Sequence, residues 1–149
     1  MIVNICDISL NIENYNQIID LYNNFNNYYR LIDKNILTFE KFENIIKNIP
    51  HNHNILLYID NSDNIIGGIT LIIEQKIIHD GKCVGHIEDF VVLESHRKKG
   101  IGDLLMQRVK IMCKKSNCYK IILDCHDFME DYYNKKRFKK KGKYMALYF

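Results

Sequence analysis

The sequence predicts an α/β (α+β) fold, a central sheet flanked by helices, and three observations carry that reading. Short apolar runs and helical periodicities follow one another in the order strand, two helices, three strands, helix, strand, helix, strand. Two of the runs, 55–59 and 65–73, flank the turn-forming Asn61, Ser62, Asp63 and Asn64, the pattern of an antiparallel hairpin. The hexapeptide RKKGIG, residues 97–102, stands between an apolar run and an amphipathic pattern, where a strand turns into a helix.

Each element has its own signal. Val3, Ile5 and Ile8 predict a first strand, and Ile12, Ile18, Ile19, Leu21, Tyr22 and Phe25 recur near helical spacing, predicting a helix over 13–28. Thr38, followed by Glu40 and Lys41 and by the apolar Phe39, Phe42, Ile45 and Ile46, predicts a capped second helix ending before Pro50. Beyond the hairpin, Asp80 and Gly81 precede a strand over 84–93. Ile101, Leu104, Leu105, Val109 and Met112 then share one face of a helix reaching about residue 115. After Ser116 and Asn117 the run 119–123 predicts a strand, 128–136 a short helix, and the apolar and aromatic tail 143–149 a last strand.

No repeat or linker interrupts the pattern, and 149 residues suit a single domain over 1–149. An apolar fraction of 47% with 26% charged residues is a globular composition. No run approaches the roughly 20 apolar residues that span a bilayer. Asn4 and Asp7 interrupt the start where a signal peptide needs a basic and then an apolar stretch, so a cytoplasmic protein without a membrane span is expected. The five cysteines (Cys6, Cys83, Cys113, Cys118, Cys125) show neither paired nor zinc-ligand spacing and read as free thiols. The six histidines form no ligand cluster, so no metal is expected. A net charge of +3 does not argue for nucleic acid. The cations crowded at Lys135, Lys136, Arg137, Lys139, Lys140, Lys141 and Lys143 read as a solvated face or an attractor of phosphorylated ligands.

The chemistry concentrates at RKKGIG. A strand that turns directly into a helix leaves the first helical N–H groups unpaired and pointing outward, which favours an anion. Gly100 and Gly102 clear side chains from the amides, and Arg97, Lys98 and Lys99 add charge at the same end. The spacing fits neither the P-loop nor the three-glycine dinucleotide fingerprint. Spacing alone also allows a basic helix start with a glycine-softened turn.

R-x-x-G-x-G after an apolar strand resembles the acetyl-CoA pyrophosphate loop of the GNAT superfamily of N-acetyltransferases, whose element order also matches. LIIEQKIIHDGKCVGHIEDFVV (71–92) and CYKIILDC (118–125) resemble segments of the eukaryotic glucosamine-6-phosphate N-acetyltransferases within it. The resemblance runs over 71–133. It implies a mixed, mostly antiparallel sheet with a splayed central strand pair, acetyl-CoA as cosubstrate, and transfer of acetyl to the amine of glucosamine 6-phosphate in UDP-N-acetylglucosamine precursor synthesis. It also implies a homodimer in which the C-terminal strand helps form the partner's site.

By that resemblance, Phe90, Val91 and Val92 line the pantetheine arm, and Arg97, Lys98, Lys99, Gly100, Ile101 and Gly102 hold the pyrophosphate. Glu88 and Asp89 fall at the sugar and its amine, where a carboxylate attracts an ammonium group and helps remove its proton. Neighbouring strand residues point to opposite faces, so only one of the two is expected to look into a given site. Tyr133, preferred over Tyr132, falls beside the coenzyme sulfur, and Lys76, Lys120 and Asp124 fall around the sugar phosphate. His86, beside Glu88, reads as structural before it reads as a base.

The chain also departs from the family. Met129 replaces an asparagine that touches the coenzyme, Arg137 replaces a helix-ending glycine, and the C-terminal arginine that holds the sugar phosphate is missing near Leu147. That loss leaves a protein or peptide amine as the alternative acceptor. A polyanion-binding module without catalysis is the remaining alternative.

Overall fold

The computed structural model describes residues 1–25 and 31–148. Five strands, β1 (Ile2–Asn4), β2 (His53–Ile59), β3 (Ile65–Gln75), β4 (Cys83–Val92) and β5 (Cys118–Ile122), form one sheet in chain order. Neighbours pair antiparallel as far as β4, which pairs parallel with β5. The sheet is therefore mixed and mostly antiparallel, as expected. The helices are α1 (Ile12–Asn23), α2 (Phe39–Lys47), α3 (Ile101–Lys115) and α4 (Glu130–Lys135).

Local chemistry explains the boundaries. Asn11 caps α1 reciprocally: its side chain accepts from the Asn14 amide at 2.9 Å, and the Asn14 side chain accepts from the Asn11 amide at 3.0 Å. Thr38 caps α2 by accepting from the Lys41 amide. The expected continuation of α1 over 26–28 lies outside the described residues. The predicted helix over 128–136 divides into a 3-10 turn, Asp127–Met129, and then α4.

Apolar side chains bury on both sides of the sheet. On one side α1 and α2 cover Leu57, Ile65 and Val91 with Ile18, Leu21, Phe42 and Ile46. On the other, α3 and Tyr133 of α4 cover Leu56, Ile69, Leu71 and Ile87 with Leu105 and Val109. Gly67 and Gly68 let both layers approach β3: a methyl on Gly67 would lie 3.1 Å from Ile101, and one on Gly68 3.3 Å from Leu21. All five cysteines are free thiols.

The last strand expected over 143–149 is not formed. Residues 138–148 carry no regular structure, and Tyr144, Met145, Leu147 and Tyr148 are 71%, 90%, 79% and 88% exposed. A strand exists only when a neighbour takes its backbone hydrogen bonds, and among the described residues this apolar segment has none. Phe149 lies outside the described residues.

Candidate functional site

The site begins where the sheet divides. β4 pairs with β5 only from Cys83↔Cys118 to His86↔Ile122. Beyond that point β4 continues to Val92 with β3 alone beside it. Glu88 to Val92 thus present a backbone edge without a strand partner, and Asp124 follows the end of β5 across the gap.

β4 is also irregular there. Gly68 pairs with Val91 and Thr70 with Glu88, so the single residue Ile69 stands opposite both Asp89 and Phe90. Asp89 takes up the extra residue with φ of 48°, a left-handed conformation that Asp tolerates better than most non-glycine residues. Such strain concentrates at functional sites.

The bulge corrects the expectation that Glu88 and Asp89 face opposite ways. Ile87 and Phe90 both pack on the α3 side, and Val91 packs on the α1 side. Regular alternation would place 87 and 90 on opposite faces, so the bulge resets the phase, and Glu88 and Asp89 share the α1 face. Asp89 accepts from the buried Thr70 hydroxyl, Oγ1 to Oδ2, at 3.5 Å. Both residues are exposed, and partial desolvation of their carboxyls pushes them above their ordinary range. The neighbouring charges of Asp124 and Asp89 add to this for Glu88, while the Thr70 hydroxyl and His53 oppose it for Asp89.

Tyr133 sits across the opening, 9% exposed and edge-on to Phe138 and Tyr132. Burial first, then the charges of Tyr132, Cys125 and Asp124, hold its phenol far above the usual value, so it keeps its proton. The Asp124 charge reaches both Glu88 and Tyr133, which joins the carboxylate face to the tyrosine.

The RKKGIG turn follows β4. Lys98 (φ 61°) and Gly100 (φ 83°) are left-handed, and Gly100 caps α3 without a side-chain hydrogen bond. Among the described residues, no backbone acceptor takes the amides of Lys98, Lys99, Gly100, Ile101 or Gly102. The two glycines do different work. Gly100 faces open space and serves through its conformation. A methyl on Gly102 would lie 3.0 Å from the Tyr132 hydroxyl and 3.1 Å from Phe90 Cζ. The Ile101 side chain belongs to the core.

The six residues of the loop therefore divide their roles. All three cations are exposed, but Lys98 and Lys99 point to solvent, whereas Arg97 bonds back onto the protein. Arg97 Nε donates to the Val92 carbonyl at 3.1 Å, and its Nη2 donates to Asn24 Oδ1 at 3.3 Å. Asn24, just past α1, also accepts from the Glu94 amide, so the guanidinium fastens the loop to α1. Among the coenzyme-side residues, Phe90 is half-buried against Tyr132, Val91 is buried and Val92 is half-buried.

The phosphate-side residues are more dispersed. Lys76 pairs with Glu74, which also meets His86 Nε2 at 2.8 Å. His86 is thus a partner of Glu74, in keeping with its structural reading. Lys120 lies 5.4 Å from the Tyr119 ring and pairs in register with Val84. Glu88 lies four residue steps along β4 from Val84, about 13 Å at the usual rise.

Three further features had little signature in sequence. Tyr22 of α1 reaches over β3, its oxygen 3.7 Å from where a Gly68 methyl would stand, and feels the Asp89 charge. His53 of β2 faces Asp89. Lys136, paired with Asp103 and 4.5 Å from the Tyr132 ring centroid, covers the start of α3. Thr70 alone left a trace, as the one hydroxyl in the apolar run 65–73.

A mixed sheet opened beside a parallel strand pair, followed by a glycine-bearing turn into a helix, is an acyl-transfer architecture, and the model of the acetyltransferase (GNAT) family matches residues 16–137. The chain belongs to that family. It is 40% identical over 87 residues to glucosamine 6-phosphate N-acetyltransferase 1 of Dictyostelium discoideum, covering 58% of this chain and 55% of that protein. It is 36% identical over 83 residues to glucosamine 6-phosphate N-acetyltransferase of Trypanosoma brucei brucei, covering 56% of each. The chain thus spans about half the length of the curated relatives it matches. The crystal structure of glucosamine-6-phosphate N-acetyltransferase from Arabidopsis thaliana superposes with a TM-score of 0.81 at 25% identity, covering 100% of this chain and 99% of that one.

Proposed function

We propose that the chain, acting as one domain over residues 1–149, is an acetyl-CoA-dependent N-acetyltransferase that acetylates the amine of glucosamine 6-phosphate. The bulge at Asp89 carries this reading, because it sets two carboxylates on one face beside the free edge of β4. The names of the relatives support the same acceptor.

The residues present fit the coenzyme. The amides of residues 98–102 and the open space at Gly100 suit a pyrophosphate, with Lys98 and Lys99 supplying charge, while Gly102 lets Tyr132 and Phe90 close on the start of α3. Arg97 serves by fixing the loop. Phe90, Val91 and Val92 offer their free backbone edge to the pantetheine arm. When bound, acetyl-CoA supplies an acetyl group activated as a thioester.

Glu88 and Asp89 attract the ammonium of the acceptor, and one of them takes its proton, directly or through water, so that the free amine attacks the acetyl carbon. Backbone N–H groups of the β4 edge stabilise charge developing on the acetyl oxygen. Tyr133, held neutral by burial, donates a hydrogen bond to the departing sulfur. Lys76, Lys120 and Asp124 hold the sugar phosphate and hydroxyls. The exposed tail from Tyr144 to Tyr148 is the interface of a homodimer, in which the missing strand partner is supplied by a second copy. The protein works in the cytoplasm, without metal or nucleic acid. No helix among the described residues is long and apolar enough to cross a membrane.

The test is thiol release from acetyl-CoA with glucosamine 6-phosphate, glucosamine or a lysine-containing peptide as acceptor. Release confined to the phosphorylated sugar is expected. Release with peptide alone replaces the acceptor, and release with none removes the enzymatic reading.

A further inference from the structure

The cation-rich stretch at the end of α4 holds one lysine that turns away from solvent. Lys135, Arg137, Lys139, Lys140, Lys141 and Lys143 are exposed, whereas Lys136 is half-buried. It is tied to α3 at two points. Its carbonyl accepts from Lys110 Nζ at 3.3 Å, and its own ammonium pairs with the Asp103 carboxylate. The same ammonium lies over the Tyr132 ring, with Nζ 4.5 Å from the centroid. Partial desolvation works against the Lys136 charge, but the bond to Asp103 outweighs it and the ammonium titrates above the ordinary lysine range.

Asp103 stands in the first turn of α3. Its amide donates to the Gly100 carbonyl at 3.0 Å, which keeps its carboxylate within about one helical turn of the amides assigned to the pyrophosphate. A carboxylate there stabilises a free helix N-terminus, yet it repels an anion that is to bind at the same end. Among the described residues, Lys136 is the one cation paired with Asp103. Tyr132 links the lysine to the shape of the site as well. Its hydroxyl lies 3.0 Å from where a Gly102 methyl would stand, and its ring meets Phe90 of β4 with centroids 6.4 Å apart.

We propose that Lys136 is a positioning residue of the coenzyme site, which neutralises Asp103 and holds Tyr132 against Gly102 so that the start of α3 accepts a diphosphate. The inference rests on the reading of residues 98–102 as the pyrophosphate loop and adds to it a residue from another element. The two members of the ion pair then act in opposite directions. Removing the Lys136 charge leaves a bare carboxylate beside the incoming anion, while removing the Asp103 charge leaves a bare ammonium there. A bridge that only fastened α4 to α3 would be lost equally in both cases, and both changes would weaken binding alike.

The experiment measures the affinity for acetyl-CoA by calorimetric titration, at low and at high salt, for the parent protein, Lys136→Met, Asp103→Asn and the double variant. Lys136→Met keeps an apolar stem over Tyr132 and removes the charge. It should weaken binding about fivefold at low salt, the scale of one uncompensated charge several ångströms from another near the surface, and less at high salt. Asp103→Asn should tighten binding by about twofold, and the double variant should return to within about twofold of the parent. ADP, which carries the diphosphate without the pantetheine arm, should rank the four proteins in the same order. Lys136→Met binding as tightly as the parent, or the two single variants weakening alike, overturns the proposal. If Lys136→Met does not fold, Asp103→Asn decides, and binding no tighter than the parent's overturns it. A parent that binds no acetyl-CoA removes the coenzyme reading and this inference with it, whereas a parent that binds while the variants weaken alike overturns this inference alone.

Discussion

A methyl group on Gly102 would stand 3.0 Å from the Tyr132 hydroxyl and 3.1 Å from Phe90 Cζ, so the start of α3 and the free part of β4 meet across a space only a glycine leaves open. Gly102→Trp should fill it. The expected outcome is a loss of acetyl-CoA affinity of at least tenfold, roughly 1.4 kcal/mol, with the circular dichroism spectrum retained. Normal coenzyme binding in a calorimetric titration would remove the loop from the site.

Tyr133 is buried and kept protonated, which suits a donor to a leaving thiolate. Tyr133→Phe should lower kcat by roughly a hundredfold, the low end for general acid catalysis, while the KM for acetyl-CoA holds. An unchanged kcat would leave Tyr133 with packing alone.

Asp89 couples activity to stability. Its folded-state pKa lies above the unfolded one, so the folded protein holds that proton more tightly and ionisation weakens the fold. The contribution is fully present below the ordinary carboxylate range and is lost as pH rises through the raised value. Asp89→Asn keeps an oxygen for the Thr70 hydroxyl but cannot ionise. Thermal melts of the variant should decline less between acid and neutral pH than those of the parent, and its turnover should fall by roughly two orders of magnitude. Superimposable pH dependences would show that burial does not tax this carboxylate.

Arg137 occupies the left-handed position that ends α4, with φ of 70°. Its amide donates to the Asn134 carbonyl at 2.9 Å, and the Phe138 amide donates to the Tyr133 carbonyl at 3.1 Å, a Schellman closure usually built on glycine. The residue that departs from the family thus keeps the family's turn. Arg137→Gly should relieve the left-handed cost and raise stability by up to about 1 kcal/mol, visible as a higher urea midpoint with unchanged slope. A lower midpoint would show that the arginine side chain contributes more than its backbone costs.

The exposed tail gives a prediction about assembly. Removing residues 143–149 should turn a dimer into a monomer in sedimentation velocity, since Met145 and Tyr148 are 90% and 88% exposed in the single chain. A parent protein that already sediments as a monomer would rule out the tail as an interface.

Most of the fold was legible because its determinants are local. The caps at Asn11 and Thr38, the turn at Asn61 to Asn64 and the glycine-bearing start of α3 each act within a few residues, and apolar period gave the element types. Motif spacing pointed to Gly100 and Gly102, and the family resemblance pointed to the Glu88–Asp89 pair. Where strands must find partners, local pattern does not suffice: the apolar tail has strand composition but no strand neighbour among the described residues.

What the tertiary structure alone decided is direction. Alternation places Glu88 and Asp89 on opposite faces, yet one extra residue opposite Ile69 turns both to the same side. The charge of Arg97 suggests a phosphate ligand, yet its guanidinium is committed to Val92 and Asn24. Tyr22 and Asp89 are far apart in sequence and meet only because α1 packs over β3 and β4. Composition and periodicity specify which residues are buried and which elements form. The register of one strand against another, and the partner a charged group chooses, depend on contacts between distant segments that no local pattern records.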